Sequence, residues 1–154
     1  MSKSKFQKAV ESSEYLVDAY CKGLEALEKA HQSLIEVSDA SSLCGSIDLD
    51  SHLESSCPQD NRWDYGIGFR STGRHEFVAW IEFHPVSMDE FDTFEKKFQW
   101  LIGWLKRNAI ALHKMECEHV WIPTGKSEEP SLLTPLRKRI ADKGWKLCSR
   151  YKID

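Results

Sequence analysis

Nowhere in its 154 residues does the chain run to eighteen apolar residues in succession, so no membrane span or membrane partner is expected. The opening stretch, MSKSKFQKAVESSEYL, is charged throughout and lacks the apolar core of a signal peptide, which makes the cytoplasm the expected location. Cysteine is sparse and scattered. Cys21, Cys44, Cys57, Cys117 and Cys148 are odd in number and form no CxxC pair, which argues against a disulfide framework or a zinc ribbon. Reduced cysteines acting as small apolar residues are expected instead. With a net charge of −3 there is no global basic field of the kind non-specific nucleic-acid binders carry. Only a local basic rim remains, LRKR at Leu136 to Arg139. P-loop, GxSxG and GxGxxG patterns are missing as well, so kinase-like, serine-hydrolase and Rossmann readings lose their support.

What is present is ordinary for one globular domain spanning 1–154: 41% hydrophobic and 29% charged residues, enough for a real core. Apolar positions at helical spacing predict a helix over 6–37, with Gly23 as its weak point. The core is expected over 44–154. Alternation in Cys44 to Asp50 predicts a short strand with Ile47 and Leu49 inward and Ser46, Asp48 and Asp50 together on the other face. Trp63 to Phe69 alternates too, with Trp63, Tyr65, Ile67 and Phe69 sharing one face. Asp64, Gly66 and Gly68 take the other, where glycine leaves room for close approach to the backbone.

Glu76 to His84 reads as a second strand, ended by Pro85. Ser87-Met88-Asp89-Glu90 is a capping box that opens a helix expected to run to His113. Its Phe91, Phe94, Phe98, Leu101, Ile102 and Leu105 fall within about 100° of arc and form a buried face. His119 to Pro123 reads as a strand, Leu132 to Lys143 as a helix stopped by Gly144, and Trp145 to Ile153 as a last strand. The order is α-β-β-β-α-β-α-β, an α/β domain with a central mixed sheet flanked by helices.

The hairpin gives the sharpest expectation. A turn centred near Gly73 makes facing residue numbers sum to about 146, and facing residues share a face of the sheet. Asp64 then lies opposite Glu82, Arg62 opposite His84, and Gly66 opposite Trp80. Glu82 and His84 share that face, being two apart on one strand. Two adjacent carboxylates repel each other unless a cation, a shared proton or a metal offsets them. Mg²⁺, or Mn²⁺ in its place, takes two carboxylates and keeps waters for a phosphate; Asp48 or Asp50 could add a third oxygen. On the helix, Lys97 sits about 100° from the buried centre at Phe98 and can snorkel toward the sheet, while Lys96 should be solvated.

Plainer readings stand beside these. Arg62 with Glu82, and Asp64 with some other cation, could be structural ion pairs. His84 could simply end a strand. Trp100 and Trp104 could pack under the N-terminal helix rather than stack on bases. His31, His52, His75, His113 and His119 show no metal-ligand spacing.

The run from Leu43 to Leu105, with GSIDLD, RWDYGIGF, WIEFHP and the helix motif Lys97-Phe98-Gln99-Trp100-Leu101, resembles a family of uncharacterised bacterial proteins. That family shows GSVDID, RWDY-IG and VEVHPA in the same order. More distantly, the chain resembles the PD-(D/E)xK nuclease superfamily, whose α-β-β-β-α-β core carries an Asp on one strand and Glu-x-Lys on the next. Asp64 and Glu82 match the acidic positions. His84 stands where the lysine is expected, and some members carry that lysine on the following helix, where Lys97 lies. This resemblance implies a restriction-endonuclease-like fold and a Mg²⁺-dependent phosphodiesterase acting on nucleic acid. Asp64, Glu82, His84 and Lys97 would then be the catalytic set, with metal held by Asp64, Glu82 and Asp48 or Asp50. Arg62, Trp100 and Trp104 are candidate binding residues. The alternative is a non-catalytic module in which the Asp/Glu/His/Arg cluster is structural. There Trp100 and Trp104, or Arg137-Lys138-Arg139, would meet a protein partner.

Overall fold

A five-stranded mixed sheet is the centre of the structure, a computed structural model that describes residues 2–71, 75–125 and 134–154. The hairpin turn expected around Gly73, and the first two residues of the helix expected at 132–143, lie outside that range. Along the chain come α1 (Lys5–Glu11), α2 (Lys29–Gln32), β1 (Ile35–Val37), β2 (Leu43–Asp48), α3 (Leu49–His52), β3 (Tyr65–Arg70) and β4 (Glu76–His84). Then follow α4 (Met88–Asn108), α5 (Ile110–His113), β5 (Cys117–Pro123), α6 (Thr134–Asp142), β6 (Lys146–Leu147) and β7 (Tyr151–Ile153). Strand order is β2-β3-β4-β5-β6, antiparallel across β2-β3-β4 and parallel from β4 to β6. This is the expected mixed α/β domain.

The helix expected over 6–37 does not form as one element. It stops at Glu11, and Gly23 adopts φ +50°, a left-handed conformation that an α-helix cannot continue through. Between the pieces the chain wraps the free edge of β2: Cys21 and Ser46 exchange two backbone hydrogen bonds of 2.9 Å. The consequence is a division of labour. Phe6, Ala9 and Val10 of α1 pack on one face of the sheet, while Leu27 and Ile35 pack on the other. The periodic apolar residues were serving two surfaces, not one helical stripe.

Three smaller expectations also change. β2 ends at Asp48, and Leu49 to His52 turn into α3, so Asp50 is not a strand residue. The helix after Ser87 breaks at Ala109, where φ −149° and ψ 60° are not helical. The last strand is two strands in different sheets: β6 extends the main sheet, whereas β7 pairs in parallel with β1.

The hairpin register is the expected one, with Tyr65 opposite Ile81, Gly66 opposite Trp80 and Ile67 opposite Ala79. Trp63 departs from it. Instead of joining Tyr65 and Ile67, its ring packs at 5.2 Å against Phe94, among the residues of the opposite face. The strand proper starts at Tyr65, so alternation does not extend back to Trp63. The space over the glycines is taken by the protein's own core. A Cβ on Gly66 would lie 2.6 Å from the Trp80 ring, and one on Gly68 would lie 2.3 Å from the Phe6 ring.

On α4, Phe91, Phe94, Leu101 and Leu105 are buried as expected, and Trp104 joins them. Ser87 caps the helix by accepting the Glu90 N–H at 3.1 Å. This fixed start presents Lys97, three turns in, to the end of β4.

Candidate polar centre at the end of the hairpin

Where β3 and β4 run out, side chains replace the backbone ladder. The Asp64 N–H donates to Glu82 Oε1 at 3.0 Å, and the Phe83 N–H donates to Asp64 Oδ2 at 3.0 Å. Each carboxylate therefore holds the other residue's strand, and the two acidic groups end side by side. Lys97 arrives from α4 and places Nζ 2.6 Å from Glu82 Oε2. His84 Nδ1 lies 3.9 Å from the same oxygen, and His84 Nε2 is hydrogen-bonded to Glu90 in the first turn of α4.

Glu82 is fully buried at 0% exposure, whereas the Lys97, His84 and Glu90 side chains are 19%, 20% and 34% exposed. One end of the centre is sealed in the core and the other reaches solvent.

The charges do not balance within the sealed part. Two carboxylates, Asp64 and Glu82, face one ammonium. Burial, and then the neighbouring Asp64, push the Glu82 carboxyl up to about 8, against the pull of Lys97. Burial also raises Asp64, opposed by Lys97 and by the Phe83 N–H. Burial pulls the Lys97 ammonium down, but Glu82 and Asp64 more than offset this and leave it raised. With two acids and one ammonium in the sealed part, the protonated form of Glu82 is favoured more than that of a free carboxyl.

Of the expected site residues, Asp64, Glu82, His84 and Lys97 come together. The others do not. Asp48 caps α3 by accepting the Ser51 N–H at 2.9 Å, and it lines a separate cavity of about 410 Å³ with Cys21, Glu25 and His52. Asp50 accepts from Arg62 Nε at 3.0 Å, and Arg62 also donates to the Cys57 carbonyl at 2.6 Å. Arg62 therefore does not face His84: it ties the loop before β3 to α3.

Trp104 is buried between Tyr15 and Trp100, each at a ring separation of 6.0 Å, and the Trp100 indole N–H donates to Asp60 at 2.8 Å. Both tryptophans are engaged in packing, with part of Trp100 left exposed. Arg137, Lys138 and Arg139 are exposed on α6, and Arg139 lies 3.9 Å over the Phe91 ring. All five cysteines are free thiols.

No family model, curated protein or solved structure matches the chain.

The centre is accordingly characterised by its own chemistry. Its donors are hard carboxylate oxygens, the kind Mg²⁺ prefers, and two of them suffice when waters and phosphate complete the shell. Among the described residues no group of three or more His, Cys, Asp or Glu is placed to hold a metal ion. A cation here would rest on Asp64 and Glu82 alone. Glu90 was not anticipated. Its only sequence signal was its place in the capping box, six residues after His84 and across Pro85, where a helix start folds back on a strand end.

Proposed function

We propose that the chain is a Mg²⁺-dependent phosphodiesterase acting on nucleic acid, with a restriction-endonuclease-like arrangement of its core. The observation that carries this reading is the meeting of Lys97 from α4 with Glu82, beside Asp64, at the end of the antiparallel hairpin. With β1, which belongs to the small sheet, and the four-residue helices α2, α3 and α5 set aside, the order α1-β2-β3-β4-α4-β5 around it supports the same reading. A purely structural network would be expected to balance its charges. This one leaves a carboxylate over, and perturbed groups of that kind gather at functional sites.

Asp64 and Glu82 would hold the metal, which when bound supplies charge stabilisation at a phosphate oxygen and an acidified water. Lys97, released from part of its bond to Glu82, would donate to a phosphate oxygen as negative charge builds there. His84 stands at the open end, where it can accept the proton of a water attacking phosphorus. The water's hydroxyl joins phosphorus, the P–O ester bond breaks, and the leaving oxygen is protonated from solvent.

Calorimetric titration with Mg²⁺ and Mn²⁺ tests the reading, with and without a phosphorothioate oligonucleotide, on wild type and Asp64→Asn. Wild type should bind and release about one proton as Glu82 ionises, since metal ligands must deprotonate. The variant should not bind. A folded wild type that binds neither ion, even with the oligonucleotide, sinks the proposal.

One observation favours a second reading, a non-catalytic interaction module. Glu82 is wholly buried, and both of its oxygens already have internal donors. On that reading the centre pins the hairpin to α4, and function lies on an outer surface such as the exposed cations of α6.

A further inference from the structure

Glu90 lies outside the carboxylate pair, yet it makes the most direct contact with His84. A carboxylate can only accept, so the ring nitrogen that meets it must carry the hydrogen. That nitrogen is Nε2. In a neutral imidazole the other nitrogen, Nδ1, is then bare, and it points at Glu82 Oε2 from 3.9 Å, beyond direct hydrogen-bond length.

The elements around the ring fix this orientation. Pro85 separates β4 from α4, and the Ser87 hydroxyl holds the Glu90 N–H. The Trp121 ring of β5 lies 6.5 Å from the imidazole, and the Trp121 indole N–H donates to the His84 carbonyl at 2.9 Å. Glu90 itself sits in the first turn of α4. The charged groups facing His84 are Glu82 on its own strand and Glu90 on α4, with Lys97 behind Glu82.

We propose that Glu90 is a positioning residue that holds His84 as the Nε2–H tautomer and turns the bare Nδ1 toward the carboxylate centre. An outer carboxylate that sets the tautomer of a working histidine is a recurring device in enzymes. The consequence for cleavage rests on the phosphodiesterase reading; the tautomer does not.

The test is long-range ¹H–¹⁵N correlation of the His84 ring in the full chain, at one fixed pH. Wild type is compared with Glu90→Ala and Glu90→Gln, and thermal melts establish that each is folded. Wild type should show hydrogen on Nε2 alone. Glu90→Ala should give a mixture of tautomers. Glu90→Gln, whose carbonyl still accepts, should restore the wild-type pattern. In a cleavage assay Glu90→Ala should lower kcat roughly ten- to a hundredfold with little change in KM, and Glu90→Gln should recover part of the loss.

Hydrogen on Nδ1 in wild type, or on both nitrogens, overturns the proposal. So does a Glu90→Ala spectrum like that of wild type. A wild type with the expected tautomer and no cleavage supports the positioning and removes the phosphodiesterase reading, so the two failures are distinguishable.

Discussion

The two faces of β4 are equally buried but differ in kind. Ala79, Ile81 and Phe83 point into an apolar layer made by Leu27, Ile35, Val120, Ile122, Tyr151 and Ile153. Val78 and Trp80 point into the helical layer, and Glu82, next on that side, places a carboxylate at 0% exposure. What separates the faces is their cover. The segment from Leu27 to Val37 and strand β7 bring mostly apolar groups, whereas α4 brings an ammonium on a stem long enough to reach the strand end. Polar groups on the apolar side are neutral rings and hydroxyls: His31 stacks 4.0 Å from Phe83 with its Nδ1 3.0 Å from the Tyr65 hydroxyl, and the Tyr151 hydroxyl donates outward to Glu118 at 2.6 Å. Burial of charge on one face is tolerated because a specific partner meets it.

Lys97→Ala should break this contrast most severely. Removing one partner of a buried pair costs about 3–5 kcal/mol because the remaining charge is uncompensated. Here the loss in urea unfolding should be larger at pH 9 than at pH 6, because without Lys97 the Glu82 carboxyl is pushed up further and the variant goes on losing stability with pH after wild type has levelled off. Equal losses at both pH values would show that Glu82 is ionised throughout.

Next in size is the pH dependence of the native protein. Glu82 is raised from 4.5 to about 8, so between those values the folded state keeps a proton that the unfolded chain has released. Unfolding free energy should therefore fall as pH rises through that window and level off above it. Asp64, raised for the same reason, adds a fall of the same sign that begins at lower pH. Glu82→Gln should remove most of the slope, and a slope that survives must be assigned elsewhere. The smallest effect belongs to the apolar face. Ile81→Val should cost about 1 kcal/mol, the usual loss for one buried methylene, with no pH dependence and no change in metal titration.

Much of this centre was legible in the sequence because strand geometry is regular. A period of two and one turn position were enough to set Asp64 beside Glu82, and a period of 3.6 put Lys97 at the edge of the buried stripe. The prediction failed where periodicity was interrupted or ambiguous. Residues 6–37 carry apolar spacing that suits a helix, but the stripe is divided between two faces of a sheet by a turn at Gly23. Arg62 lies in the loop that precedes β3, so extrapolating the register to it gave a partner, His84, that it does not have. Asp48 and Asp50 looked like strand neighbours of one site. One became a helix cap and the other the partner of Arg62, outcomes that depend on where β2 ends, which alternation alone does not mark.

The pairing of β1 with β7 carries a consequence for how the chain is assembled. Ile35 lies beside Tyr151 and Val37 beside Ile153, and Ser38 donates to the Ile153 carbonyl, contacts between parts of the chain separated by well over a hundred residues. Such a loop is entropically costly to close, and a parallel pair of three residues returns little for it. The antiparallel strands β3 and β4 are separated by only five residues of sequence and can pair early. The small sheet is then a late closure: until it forms, the apolar side of β4 lacks part of its cover and is the surface most open to the wrong partner.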